Sequence, residues 1–161
     1  MLAEQAGIPA GVVNIVTGSA AEIGAEITSN PLVRKITFTG STEIGKQLIR
    51  EAAGTVKKVS MELGGNAPFL VFDDADLERA VTGAMVAKYR NSGQTCVCTN
   101  RFIVQSGIHD KFVARLAEET ARLKVGNGLE DGVQQGPLID MRAVETVESF
   151  IADAVGKGGK V

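Results

Sequence analysis

Two thiols stand two residues apart in the run NSGQTCVCTNR at positions 91–101, as Cys96 and Cys98. A cysteine attacks as its thiolate, so a catalytic one needs a base for its proton and donors for any oxyanion it creates. Cys96 follows Gly93, Gln94 and Thr95, residues that continue a helix poorly and turn a chain well. Its own backbone N–H, placed at a turn, is a candidate oxyanion donor. Glu62, in MELGG, is a candidate base, and the single histidine, His109, is not placed for that role. Gly40, Ser41 and Gly45 belong to GSTEIG, a glycine loop between a strand-like and a helix-like run. Such a loop aims N–H groups and a positive helix end at an anion, commonly a phosphate. Thr42 takes the place of the middle glycine of G-x-G-x-x-G. Arg90 is a cation six residues before Cys96, at a helix end.

Each feature also has a plainer reading. Both cysteines can be small buried hydrophobes. Glu62 can be a solvated glutamate at a strand end, and GSTEIG a tight βα turn. Arg90 can complement the helix dipole.

The composition bounds the field. The chain has 161 residues, about one domain's worth, and a formal net charge of −2, with no basic stripe suited to nucleic acid. Its apolar runs are far shorter than the ~18 residues of a membrane helix. The N-terminus has neither the basic flank nor the apolar stretch of a signal peptide. Two cysteines and one histidine make no zinc set, so no metal is expected. These features point to a soluble, cytoplasmic protein of a reducing compartment.

The elements that position these residues alternate. Residues 2–6 read as a helix closed by Gly7. Residues 12–18, VVNIVTG, read as a strand, followed by a helix over 19–29 with Ser19 and Glu22 as a capping box. Residues 35–40, KITFTG, read as a second strand, and STEIGKQLIREAAG as a helix ended by Gly54. TGSAAEIG and TGSTEIG are versions of one strand-loop-helix unit. Residues 57–65 read as a third strand, followed by PFLVF and then a helix over 77–89 with Asp76 as its N-cap. RFIVQ is a strand, and residues 109–124 a helix with Phe112, Leu116, Thr120 and Leu123 on its apolar face, ended at Gly126. A loop follows, then a helix over 143–155. The alternation predicts an α/β fold with parallel strands and crossover helices, and a domain seam near residues 65–68.

Three motifs in order, FTGSTEIG, MELGGNAP and NSGQTCVCTNR, resemble the aldehyde dehydrogenase superfamily, and the resemblance runs the length of the chain. ELGGNAPFLVFDDADLERAV and the CVC pair look like its succinate-semialdehyde branch, including glutarate-semialdehyde relatives. The resemblance implies the end of a Rossmann-like cofactor domain over 1–66, joined over 67–161 to the start of a catalytic α/β domain. It implies NADP or NAD as cofactor, a semialdehyde substrate, a role in 4-aminobutyrate degradation and a homo-oligomeric parent, dimer or tetramer. Cys96 matches the nucleophile that forms a thiohemiacetal and then a thioester. Glu62 matches the general base. Gly40, Ser41 and Gly45 match the pyrophosphate loop, and Leu63 a backbone contact on the nicotinamide side. Arg90 matches an arginine for the substrate's carboxylate. Cys98, on the same face of an extended strand as Cys96, is expected to serve as its redox partner.

Family members also carry an upstream PWNFP-type segment, a ribose-binding lysine and a downstream E-x-F-G-P segment, which this sequence lacks. The chain is therefore expected to be an internal fragment, inactive by itself. A non-catalytic structural or binding module is the alternative. A cysteine hydrolase is a third reading that lacks a suitable histidine.

Overall fold

Side-chain caps start most of the helices of this protein. In a computed structural model, which describes residues 2–161, Ser19 Oγ accepts from the backbone N–H of Glu22 at the start of α2 (Ala20–Ser29). Ser41 Oγ does the same for Ile44 at the start of α3 (Thr42–Ala53), and Asp76 for Arg79 at the start of α4 (Leu77–Tyr89). Asp140 caps α6 (Met141–Gly156) through the N–H of Ala143. Each cap satisfies one of the N–H groups that a helix start leaves without an intrahelical acceptor. The remaining helices are α1 (Leu2–Gln5) and α5 (Ser106–Ala121).

The chain divides into two compact units, one reaching to Gly64 and the other Gly65–Val161; the seam read from the sequence lay at 66/67. In the first unit β1 (Lys35–Gly40) and β2 (Lys58–Leu63) pair in parallel, Ile36 opposite Val59 and Gly40 opposite Leu63, with α3 as the crossover. Ile36 and Ala52 are buried between helix and sheet. Thr28 and Lys57 are buried polar groups, and both are satisfied. Thr28 Oγ1 donates to Glu51 Oε2, and Lys57 Nζ donates to the carbonyls of Asn30 at 2.6 Å and Val33 at 2.9 Å. The Lys57 ammonium thereby ties the end of α2 to the start of β2.

In the second unit β3 (Ala67–Val71) and β4 (Thr99–Val104) also pair in parallel, across a register shift between Ala67 and Pro68, with α4 as the crossover. The core here is Val71, Val81, Ala84, Ile108 and Phe112. Phe69, Phe102 and Phe112 stack in sequence, with centroids 5.5 and 6.0 Å apart at tilted angles. Phe112 is 1% exposed, and truncating such a side chain to alanine costs about 3–5 kcal/mol. On α5, Phe112, Leu116 and Thr120 turn inward as their spacing predicts, and Leu123, beyond the helix end, is half-buried too.

The α/β alternation and the parallel pairing follow the sequence reading. Two details differ. Residues 12–18 are not a strand: no strand among the described residues gives them backbone partners, and Val12, Val13, Ile15 and Val16 are exposed. The helix that the sequence reading ends at Gly54 does have Gly54 as its C-cap. The helix expected to run to 124 stops at Ala121, because Arg122 and Leu123 tighten into i→i+3 bonds to Glu119 and Thr120. Among the described residues, no helix is long and apolar enough to cross a membrane.

Candidate active site

In the first unit, parallel pairing brings four predicted residues to one sheet end. Glu62 and Leu63 close β2 opposite Thr39 and Gly40, which close β1, and Ser41 begins α3 immediately afterward. Carboxyl ends of parallel strands are where open α/β sheets bind ligands. Glu62 is exposed there. The first turn of α3 presents N–H groups at this end, which fits a phosphate-bearing cofactor. Ser41 Oγ is already engaged by Ile44 N at 3.3 Å, so its hydroxyl shapes the loop as a cap. Gly45 is buried, and its N–H donates to the Ser41 carbonyl at 3.0 Å. A Cβ built on it would lie 2.5 Å from Leu63 Cδ2. Its lack of a side chain lets α3 lie close on β2, so it shapes the loop through packing.

In the second unit, α4 ends at Tyr89 and a tight turn follows, Arg90–Gly93. Asn91 (φ 51°), Ser92 (φ 54°) and Gly93 (φ 76°) are all left-handed. Two non-glycine residues in succession there are held against their backbone preference. At Gly93 a Cβ would also come 3.3 Å from the Lys88 carbonyl. The chain then turns again, closed by the N–H of Cys98 donating to the Thr95 carbonyl at 3.3 Å. Cys96 lies inside this turn with its thiol exposed. Among the described residues no protein acceptor takes the backbone N–H of Cys96, which leaves it open to an oxyanion.

Cys98 corrects the sequence reading. The expectation of one shared face assumed an extended strand, but β4 begins only at Thr99 and residues 96–98 lie in the turn. Cys96 is exposed, and Cys98 is 3% exposed. The Cys98 sulfur lies 2.8 Å from Thr95 Oγ1 and 3.7 Å from the Arg90 carbonyl. It closes the loop from within.

Arg90 is exposed at the C-cap of α4 and lines a cavity of about 680 Å³ with Met85, Tyr89, Arg115, Arg122 and Gln135. Cys96 does not line that cavity.

The sequence reading missed the residues that fasten the Cys96 loop. The Gln94 side chain donates to the Asn91 carbonyl at 3.2 Å and accepts from the N–H of Ile139 at 2.9 Å. Ser92 Oγ donates to the Gly136 carbonyl at 3.2 Å, and Gln135 Nε2 to the Tyr89 carbonyl at 2.9 Å. Lys88 Nζ donates to the Thr99 carbonyl. On the other side, Arg101 donates to the Asn66 carbonyl, and Asn100 Oδ1 accepts from Ala67 N. Residues 135–139, read as plain loop, are thus a strap along the Cys96 turn. The available signal was Gln135 next to Gly136 and Pro137, an amide that needs partners once it is half-buried. Among the described residues, no group of three or more His, Cys, Asp or Glu side chains could hold a metal ion.

The sequence matches the aldehyde dehydrogenase family over residues 1–161. It is 66% identical over 160 residues to the glutarate-semialdehyde dehydrogenase of Pseudomonas aeruginosa, a match covering 99% of this chain and 33% of that protein. It is 61% identical over 160 residues to the NADP(+) succinate-semialdehyde dehydrogenase of Escherichia coli, with the same coverage. Among solved structures, an NADP-dependent enzyme of E. coli superposes with a TM-score of 0.95 at 61% identity, covering 98% of this chain and 33% of that one. The chain spans about a third of the length of the curated relatives it matches.

Proposed function

This chain belongs to the aldehyde dehydrogenase family, and on that premise we propose that the enzyme built around it oxidises a semialdehyde with a carboxylate tail, succinate or glutarate semialdehyde, to the dicarboxylate. The observation that supports this most directly is the exposed Cys96 thiol on a clamped turn whose own N–H has no protein acceptor among the described residues. In this proposal the Cys96 thiolate adds to the aldehyde carbon, and the Cys96 N–H takes the oxyanion of the thiohemiacetal. A bound NADP or NAD would supply the hydride acceptor for the oxidation of that carbon. Cys96 then holds a thioester, and water attacks it to give the carboxylate and the free thiolate. Glu62 is the proposed base that receives the proton of Cys96 or of the attacking water. The loop of Gly40 and Ser41, with the first turn of α3, would hold the pyrophosphate, shaped by Gly45 beneath it; the Leu63 backbone would face the nicotinamide side. Arg90 is proposed to receive the tail carboxylate, because its planar fork suits bidentate binding.

The first unit would then be part of a cofactor domain and the second part of a catalytic domain, in a cytoplasmic homo-oligomer. Relatives named for glutarate and succinate semialdehyde both support the substrate class. The test is formation of reduced nicotinamide by the full-length enzyme with either semialdehyde. Cys96→Ala should abolish it. Activity that survives Cys96→Ala would sink the covalent route, and a wild type inactive on every aldehyde would leave a non-catalytic module.

A further inference from the structure

The turn before Cys96 has an unusual backbone. It runs through three successive left-handed residues, Asn91, Ser92 and Gly93, two of which are not glycine. A segment in that state persists only when its surroundings over-determine it. Local bonds supply part of the restraint: Asn91 Nδ2 donates to the Gln94 carbonyl at 3.3 Å, and Gln94 N to the Asn91 carbonyl at 3.1 Å.

Much of the rest comes through Gln94. Gln94 uses both ends of its amide, Nε2 donating to the Asn91 carbonyl and Oε1 accepting from Ile139 N, 45 residues along the chain. One end holds the left-handed turn closed, and the other pins it to the strap over 135–139. Ser92 adds a second pin to Gly136. Cys96 is two residues beyond Gln94, in the next turn, with no regular element of its own to hold it. Its thiol direction and its N–H direction therefore depend on how firmly residue 94 is seated.

We infer that Gln94 is a positioning residue for Cys96: its amide aims the nucleophile and the adjacent N–H by locking the left-handed turn to the strap. The inference builds on the reading of Cys96 as nucleophile. Misplacement of a reacting group by about 1 Å costs on the order of a hundredfold in rate. Loss of binding surface would appear in KM and in nucleotide affinity instead.

The experiment compares Gln94→Ala and Gln94→Glu in the full-length enzyme, with Cys96→Ala as reference. Three quantities are read: kcat and KM for succinate semialdehyde, the single-turnover rate of hydride transfer, and the Kd for the oxidised nucleotide. Gln94→Ala should lower kcat and the single-turnover rate by roughly ten- to a hundredfold, with KM and Kd within about threefold of wild type. Gln94→Glu should fall between, because its carboxylate still accepts from Ile139 N but cannot donate to Asn91. If Gln94→Ala does not fold, a drop of more than threefold in the single-turnover rate of Gln94→Glu, at unchanged Kd, carries the test. Single-turnover rates within threefold of wild type, or a loss that follows nucleotide Kd, would overturn the inference. If Cys96→Ala itself stays active, the nucleophile assignment fails instead, and the two failures are distinct.

Discussion

Leu63 lies directly over the backbone of Gly45, so close that a methyl group on residue 45 would come 2.5 Å from Leu63 Cδ2 and 3.0 Å from Cδ1. The glycine of the loop motif and the residue after Glu62 are thus one packing contact. The contact sets how near α3 lies to the carboxyl end of β2, where Glu62 is exposed.

Gly45→Ala should destabilise the protein by up to about 2 kcal/mol, the usual cost of overpacking less the ~1 kcal/mol that alanine gains over glycine in a helix. The added Leu63→Ala change should recover part of the loss by clearing the space. Thermal unfolding of the two variants checks this, and a rise in melting temperature for Gly45→Ala alone would contradict it.

Exposure separates the two thiols. Iodoacetamide should label Cys96 well before Cys98 in the folded protein, as read by mass spectrometry of the peptide containing both. Cys98→Ala should keep activity and lose about 1–2 kcal/mol of stability through a small cavity and the missing S–H contact. A disulfide between the two after mild peroxide would require the turn to open and bring out Cys98. Its prompt formation at low peroxide would show that the turn yields easily.

Glu78 accepts two 2.9 Å hydrogen bonds from Arg115, at Nε and Nη2. Those bonds, with the charges of Arg115 and Arg122, hold its carboxyl below the ordinary value against a smaller opposing effect of desolvation. The same contact, with Glu119, pushes the Arg115 guanidinium up. A carboxyl depressed in the folded state stabilises above its unfolded pKa, and that contribution is lost as pH falls through the folded value. Glu78→Gln should therefore lower the melting temperature slightly at neutral pH. The difference should shrink as pH drops below the ordinary glutamate pKa of about 4.3. Both groups are at the surface, so salt should also weaken the effect. A difference constant down to the most acid pH would assign it to packing.

Arg90→Ala should discriminate between substrates if Arg90 receives the tail carboxylate as proposed. Loss of a charge-assisted contact to a carboxylate costs about 1.5–3 kcal/mol, which corresponds to a KM roughly ten- to a hundredfold higher for succinate semialdehyde. Butanal, without a tail charge, should be barely affected. Arg90 lines the cavity beside Arg115, and equal losses on both substrates would mean that it serves the helix end and that cavity.

Local signals were readable in proportion to how local the physics was. Asp76 before an apolar-periodic run set α4 at Leu77–Tyr89, with the observed bounds. The glycine loop and GQTC stood out because turn chemistry is written in adjacent residues. Residues 12–18 misled, since β-branched residues favour a strand but form one only beside a partner. Cys98 misled because alternation holds for extended chain, and the chain there turns. The pairing of Gln94 with Ile139 leaves no local mark, as its partners are 45 residues apart.

Opening free energy, as amide exchange reads it, is shared by segments that can only separate together. The N–H of Ile139 is held by Gln94, and the Gly136 carbonyl by Ser92. Deuterium should therefore enter the Ile139 amide only when the turn carrying Cys96 lets go of it, and the two segments, far apart along the chain, should exchange as a single foldon.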